Sequence, residues 1–275
     1  MRTPVILSAM LLIMFTACEL DGFLFNEKKI EQYELPGNTI ADSLLELVTF
    51  NSGGYALYGY HVRSEHPDRG LTILYCKGNK HNIDEYWDRV MILHDLGINL
   101  FLFDYRGFGM SEGESSETGM YEDGKAAWSL LQDRYHVPAD SLCLYGYSLG
   151  NVASIYLASE VVTPACLIAE AAFASANSLS QSALSLDIPA RWLTDGSFDN
   201  AERVRTIHAP LLVIHGSDDD FVRFRDNGRV VYENAPEPKS LLLVPDANHT
   251  DIPYVMGVRS YQQTVREWIE FGIDL

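Results

Sequence analysis

At 275 residues, with 47% hydrophobic and 11% aromatic content, the chain can bury one sizeable core, and the absence of a low-complexity linker or internal repeat argues for a single domain. Its 20 basic and 38 acidic side chains give a formal charge of −18. So negative a surface repels nucleic acid and anionic membrane, which excludes a nucleic-acid partner and leaves any membrane attachment to the N-terminus.

Met1 and Arg2 precede an apolar stretch over 4–17, densest over 5–15. It is too short for a spanning helix and suits the hydrophobic region of a secretory signal. It ends in Phe15-Thr16-Ala17-Cys18, which resembles a bacterial lipobox with a small residue before the cysteine. The expectation is a signal peptide over 1–17, lipidation of Cys18, a tether over 18–38 and attachment to the bacterial cell envelope. Phe15 stands where an aliphatic residue is usual, so ordinary cleavage to a secreted or periplasmic product, or a simple membrane anchor, stays open.

A domain is expected over 39–275. Segments 44–50 and 55–62, joined through Ser52-Gly53-Gly54, read as an antiparallel hairpin at a sheet edge. Apolar runs at 71–76, 99–103, 141–145, 165–169, 210–214 and 240–244 read as buried parallel strands. Helical patterns accompany them at 83–96, 121–135, 151–162, 224–234 and 258–271. Cys76, Cys143 and Cys166 fall in or at the ends of these strands and read as packed thiols rather than a disulfide framework. Residues 173–204 read as a short lid. Its Ala183, Leu184, Leu186, Ile188, Trp192 and Leu193 either roof a site and receive an acyl chain or pack into the core.

The chemistry centres on Gly146-Tyr147-Ser148-Leu149-Gly150, set between the apolar run at 141–145 and the helical segment at 151–162. Strand, tight turn and helix in that order make a nucleophile elbow, which projects a serine hydroxyl above the sheet. A serine hydroxyl is a weak nucleophile at neutral pH and needs a base and an acid further along the chain. After 210–214 comes His215-Gly216-Ser217-Asp218-Asp219-Asp220-Phe221-Val222, and after 240–244 comes Pro245-Asp246-Ala247-Asn248-His249-Thr250-Asp251. Metal binding by the aspartates and His249 is the competing chemistry. Neither an H-E-x-x-H helix nor an EF-hand loop is present to support it, and no Walker-type phosphate loop appears either.

Ser, then Asp, then His is the chain order of the α/β-hydrolase superfamily, and over about 45–271 the chain resembles its compact branch of depalmitoylase-like and serine-aminopeptidase-like hydrolases. The resemblance implies an α/β fold with a mostly parallel, eight-stranded twisted sheet, helices on both faces and a short helical lid. It implies Ser148 as nucleophile, His249 as general base and acid, and Asp219, placed by the H-G-x-x-D-x-x-V spacing, as the group that orients the imidazole. His215 then matches a structural histidine. Lys77-Gly78-Asn79 stands where relatives usually carry His-Gly, so the backbone amides of Asn79 and Leu149 are the implied oxyanion donors. Asp104-Tyr105-Arg106-Gly107-Phe108-Gly109-Met110-Ser111 matches a structural loop of the family.

The implied activity is hydrolysis of an ester or thioester, with amides a further option, on a small-molecule or acyl-group substrate. No metal or other cofactor is required, and the oligomeric state is left open. The alternative is a non-catalytic lipoprotein of the same fold that binds a ligand or partner. Lys77 departs from the family pattern: its cation either pairs with a carboxylate and shapes the loop, or faces the pocket and favours anionic substrates.

Overall fold

The computed structural model describes residues 25–65, 70–184 and 197–274. Lipidation at Cys18 and the signal segment therefore lie outside the described residues, as do the lid side chains Ala183, Leu184, Leu186, Ile188, Trp192 and Leu193.

Eight strands form one sheet: β1 (Leu45–Ser52), β2 (Tyr55–Val62), β3 (Thr72–Cys76), β4 (Asn99–Phe103), β5 (Leu142–Tyr147), β6 (Cys166–Glu170), β7 (Leu211–Gly216) and β8 (Lys239–Val244). Their spatial order is β8-β7-β6-β5-β3-β4-β2-β1. Only β1/β2 and β2/β4 pair antiparallel; the other neighbours run parallel. The central strands β3, β5 and β6 are buried along their whole length, as expected where helices cover both faces of a parallel sheet.

Alternation along each strand feeds two cores. Leu74, Cys76, Leu142 and Leu144 face one, with α2 (Glu117–Tyr135) and α3 (Asn151–Glu160) packed over them. Ile73, Tyr75, Cys143 and Tyr145 face the other, covered by α1 (Trp87–His94) and α6 (Val258–Ile273). The sequence pattern finds these helices, but local chemistry moves their ends. Ser116 caps α2 by accepting from the Gly119 amide at 3.0 Å, so this helix begins before 121. Residues 83–86 form a 3-10 turn capped by Asn82, and α1 starts only at Trp87. Between β7 and β8, α5 (Gly228–Asn234) begins after Asn227, whose buried side chain accepts from the Ala174 amide at 3.1 Å. Ahead of it, α4 (Ala176–Leu184) opens the stretch read as a lid, and Phe173, Leu179 and Phe198 of that stretch are buried in the core.

The 18–38 stretch, expected as a tether, is from Phe25 onward folded onto the domain. Asn26–Glu27 pairs in parallel with Lys80–His81, the Ile30 and Gly109 amides bond across to the facing carbonyls, and the Tyr33 hydroxyl donates to Asp104 Oδ2 at 2.8 Å. Trp87 Nε1 donates to Asn38 Oδ1 at 3.0 Å.

Candidate active site

At the end of β5 the chain reverses through Ser148, whose φ of 51° lies in the left-handed region that a residue with a Cβ enters only at a cost of about 1–3 kcal/mol. The flanking glycines make the turn possible. A Cβ on Gly150 would lie 1.8 Å from the Cys76 carbonyl oxygen of neighbouring β3, and one on Gly146 would lie 2.2 Å from Ser154 Oγ. Asn151 clamps the turn from below, its Nδ2 donating to the Ser148 carbonyl at 3.0 Å and the Glu170 carbonyl at 2.9 Å. Because α3 follows directly, the peptide dipoles of its first turn point at the serine and favour negative charge there.

His249 arrives on the loop after β8. Its Nε2 is 3.0 Å from Ser148 Oγ and its Nδ1 is 2.8 Å from Asp219 Oδ2. An ionised carboxylate only accepts, so Nδ1 carries the proton and Nε2 offers its lone pair to the serine hydroxyl. Tyr147 fixes the loop by donating its hydroxyl to the His249 carbonyl at 3.0 Å. Of the three consecutive aspartates, Asp218 and Asp220 are exposed while Asp219 is buried. Asp219 Oδ1 accepts from the Val222 amide at 2.7 Å and the Phe221 amide at 3.1 Å. Burial pushes its carboxyl up, but hydrogen bonds from His215, His249 and the Val222 amide prevail and hold it below the usual carboxylate range. His215 is fully buried, and its Nε2 sits 2.6 Å from the Val222 carbonyl and 3.4 Å from Asp219 Oδ2, which makes it a support for the aspartate.

Gly78 packs its backbone against Tyr86, Tyr147 and Ser148, and so sets the following Asn79 beside the serine. Asn79, Ser148 and Leu149 border one small recess whose other walls are Phe173, Leu179, Phe221 and Val222. Ser148 also borders a cleft of about 560 Å³, lined among others by Tyr75, Tyr86, Arg89, Tyr147 and His249.

Lys77 does not line that cleft. It is wholly buried, with Nζ 3.2 Å from Asp104 Oδ1 and 3.9 Å from the Phe108 ring centroid. The pocket-facing reading of Lys77 is thereby corrected: Asp104, at the end of the adjacent strand β4, supplies the carboxylate that a buried cation requires. Burial lowers the Lys77 pKa and raises that of Asp104, and each group's charge offsets part of the other's shift. Arg106 of the same family loop binds Asp123, while Ser111 Oγ donates to the Asp104 carbonyl at 2.7 Å, which makes the loop a structural brace.

Sequence reasoning missed a buried polar cluster beneath the site. Arg89 Nη1 meets Glu170 Oε1 at 2.5 Å and Tyr261 Oη at 3.1 Å, and both the Tyr145 and Tyr261 hydroxyls contact Glu170 Oε2. The available signal was Glu170 itself, a carboxylate closing an otherwise apolar strand. Among the described residues no group of three or more His, Cys, Asp or Glu side chains could hold a metal ion.

A serine on a strained strand-to-helix turn, above a mostly parallel sheet and in hydrogen-bonded sequence with a histidine and an aspartate, defines the α/β-hydrolase class. No protein-family model matches the chain. It is similar to the α/β-hydrolase domain-containing protein aho-3 of Caenorhabditis elegans, with 32% identity over 206 residues covering 71% of this chain and 58% of that protein. It is also similar to an uncharacterized protein of Mycobacterium tuberculosis, at 30% identity over 224 residues covering 82% and 78% of the two chains. Among solved structures, the Pyrococcus furiosus esterase Pf2001 superposes with a TM-score of 0.71 at 20% identity over 89% of this chain and 99% of that one. The chain belongs to the α/β-hydrolase superfamily. It spans little more than half the length of the nematode relative.

Proposed function

We propose that the protein is a serine hydrolase that cleaves an ester or thioester through an acyl-enzyme on Ser148. The observation that carries this reading is the continuous row Ser148 Oγ, His249 Nε2, His249 Nδ1 and Asp219 Oδ2, with separations of 3.0 Å and 2.8 Å at its two hydrogen bonds. Ser148 Oγ attacks the carbonyl carbon while His249 takes the hydroxyl proton. Asp219 holds the resulting imidazolium in place. The amides of Asn79 and Leu149 receive the oxyanion, aided by the start of α3. Collapse of the tetrahedral intermediate breaks the bond to the leaving group, which departs with the proton from His249. Water then enters, gives a proton to His249, attacks the acyl carbon and releases the acid, restoring Ser148.

Extracytoplasmic attachment through a lipid on Cys18 belongs to the same proposal. It rests on the apolar stretch and the small residue before the cysteine.

Turnover of p-nitrophenyl acetate tests the catalytic reading. Wild type should release nitrophenolate, and Ser148→Ala and His249→Ala should each lose nearly all of it while keeping the wild-type melting temperature within a few degrees. Equal turnover by Ser148→Ala would overturn the assignment of the nucleophile.

A further inference from the structure

The cleft beside Ser148 contains polar groups that the acyl-transfer chemistry does not use. Tyr75 is fully buried, lines the cleft, and its hydroxyl has no hydrogen-bond partner among the described residues. A buried hydroxyl without a partner costs about 1–3 kcal/mol, so a ligand oxygen that meets it is favoured by that amount. Arg89 lines the same cleft and is 5% exposed. Both of its contacts to Glu170 and Tyr261 are made through Nη1. Its Nε and Nη2 hydrogens have no acceptor among the described residues, although a guanidinium offers five donors in all.

The charge around these donors selects the kind of group that suits them. Among the described residues, five acidic or basic side chains line the cleft besides His249: Lys80 and Arg89 against Glu85, Asp88 and Asp251. Arg89 is already neutralised by Glu170, and Lys80 Nζ by Glu85 Oε2 at 2.5 Å. Among the described residues an anionic substrate group would therefore gain no free cation and would meet two further carboxylates. A neutral group bearing several hydroxyls fits both sides of the lining. Its oxygens accept from Tyr75 and Arg89, its hydroxyls donate to the spare lone pairs of Asp251 and Asp88, and Tyr86, Tyr147 and Tyr254 add aromatic carbon to the same lining. In the small recess that Ser148 also borders, the walls Phe173, Leu179, Phe221 and Val222 are apolar. Ser148, Asn79 and Phe221 border both spaces, so an ester bound at Ser148 can place its acyl group in the recess and its alcohol in the cleft.

We infer that the cleft is an alcohol-side subsite for a neutral polyhydroxylated group, and that the preferred substrates are acyl esters of a sugar or polyol. This rests on the serine-hydrolase reading. The acyl carbon bonds to Ser148 Oγ, the ester bond to the sugar oxygen breaks, and that oxygen takes the proton His249 drew from Ser148. Tyr75 and Arg89 determine specificity by holding the alcohol, and they take no part in the proton transfers.

The test compares kcat/KM of the full chain on 6-O-acetylglucose, on cyclohexylmethyl acetate, and on cyclohexylmethyl acetates bearing a 4-carboxylate or a 4-ammonium group. The sugar ester should exceed the plain cyclohexyl ester by about tenfold or more, and both charged esters should fall below the sugar ester. Tyr75→Phe should reduce the sugar-to-cyclohexyl ratio about fivefold or more, carried mainly in KM, without lowering the melting temperature, because the hydroxyl it removes has no partner among the described residues. Arg89→Lys keeps a cation for Glu170 and should reduce the ratio as well. Should that variant fail to fold, Tyr75→Phe still decides. A wild-type ratio near one, an equal loss on both esters in Tyr75→Phe, or preference for a charged ester would overturn the subsite. Hydrolysis of cyclohexylmethyl acetate with no preference defeats only this inference, whereas hydrolysis of none of the four defeats the serine-hydrolase reading with it.

Discussion

Asp219 differs from its two neighbours only in where the turn puts it. Its carboxylate meets His249, His215 and two backbone amides, while Asp218 and Asp220 face solvent. Asp219→Asn should therefore reduce kcat by about 10⁴-fold by disturbing the imidazole tautomer, with Asp218→Asn and Asp220→Asn within about threefold of wild type. The same contacts carry a pH signature. Since the folded carboxyl lies below its unfolded value, its stabilising contribution is complete above about pH 4 and is lost as pH falls toward the folded pKa. The melting-temperature gap between wild type and Asp219→Asn should thus be widest above about pH 4 and narrow in acid; a gap that widened in acid would contradict the assignment. Lys77 makes a second residue-scale case. Lys77→Met leaves Asp104 buried without its cation and should cost about 3–5 kcal/mol in denaturant unfolding, with equal loss of activity on anionic and neutral esters. Ser148, Asp219 and His249 could be named in the sequence because their order and spacing are fixed by the strand ends that carry them. Arg89 could not, since a charged side chain in a helix usually reaches water, and only tertiary packing places this one over Tyr147 and against Glu170.

Among the elements, the strands were the most legible. Parallel strands buried on both faces write themselves as short continuous apolar runs, and six such runs and a glycine-turned hairpin account for the eight-stranded sheet. Helix ends were less legible, because a cap such as Ser116 or Asn82 acts through one side chain and leaves no periodic trace. Residues 25–38 were invisible for a related reason: backbone pairing with 80–81 and single contacts such as Tyr33 to Asp104 hold a polar, aperiodic stretch on the domain. A chain begun at residue 39 should accordingly melt several degrees below one begun at residue 19, since it loses the Tyr33 contact to the carboxylate that balances Lys77. The elbow is the element on which the site depends most. Gly150→Ala would drive a methyl group into the β3 backbone at Cys76, and it should lower both melting temperature and kcat, the latter by about 10²-fold or more.

For the whole molecule, the proposed attachment rests on the apolar N-terminal stretch, because a net charge of −18 would repel an anionic membrane. Mass spectrometry of the protein from a bacterial membrane fraction should find a lipid-modified N-terminus at Cys18, lost in Cys18→Ser. A mature terminus elsewhere without lipid mass would reject the attachment and leave the domain's chemistry untouched. The proposed chemistry, a single activated serine, is tested most directly by labelling the folded full chain with a fluorophosphonate and mapping the adduct by peptide mass spectrometry. The expected result is one adduct per chain, on Ser148, with none on Ser148→Ala and little on His249→Ala. Folded protein that takes up no label, or that carries it on another residue, would contradict the account.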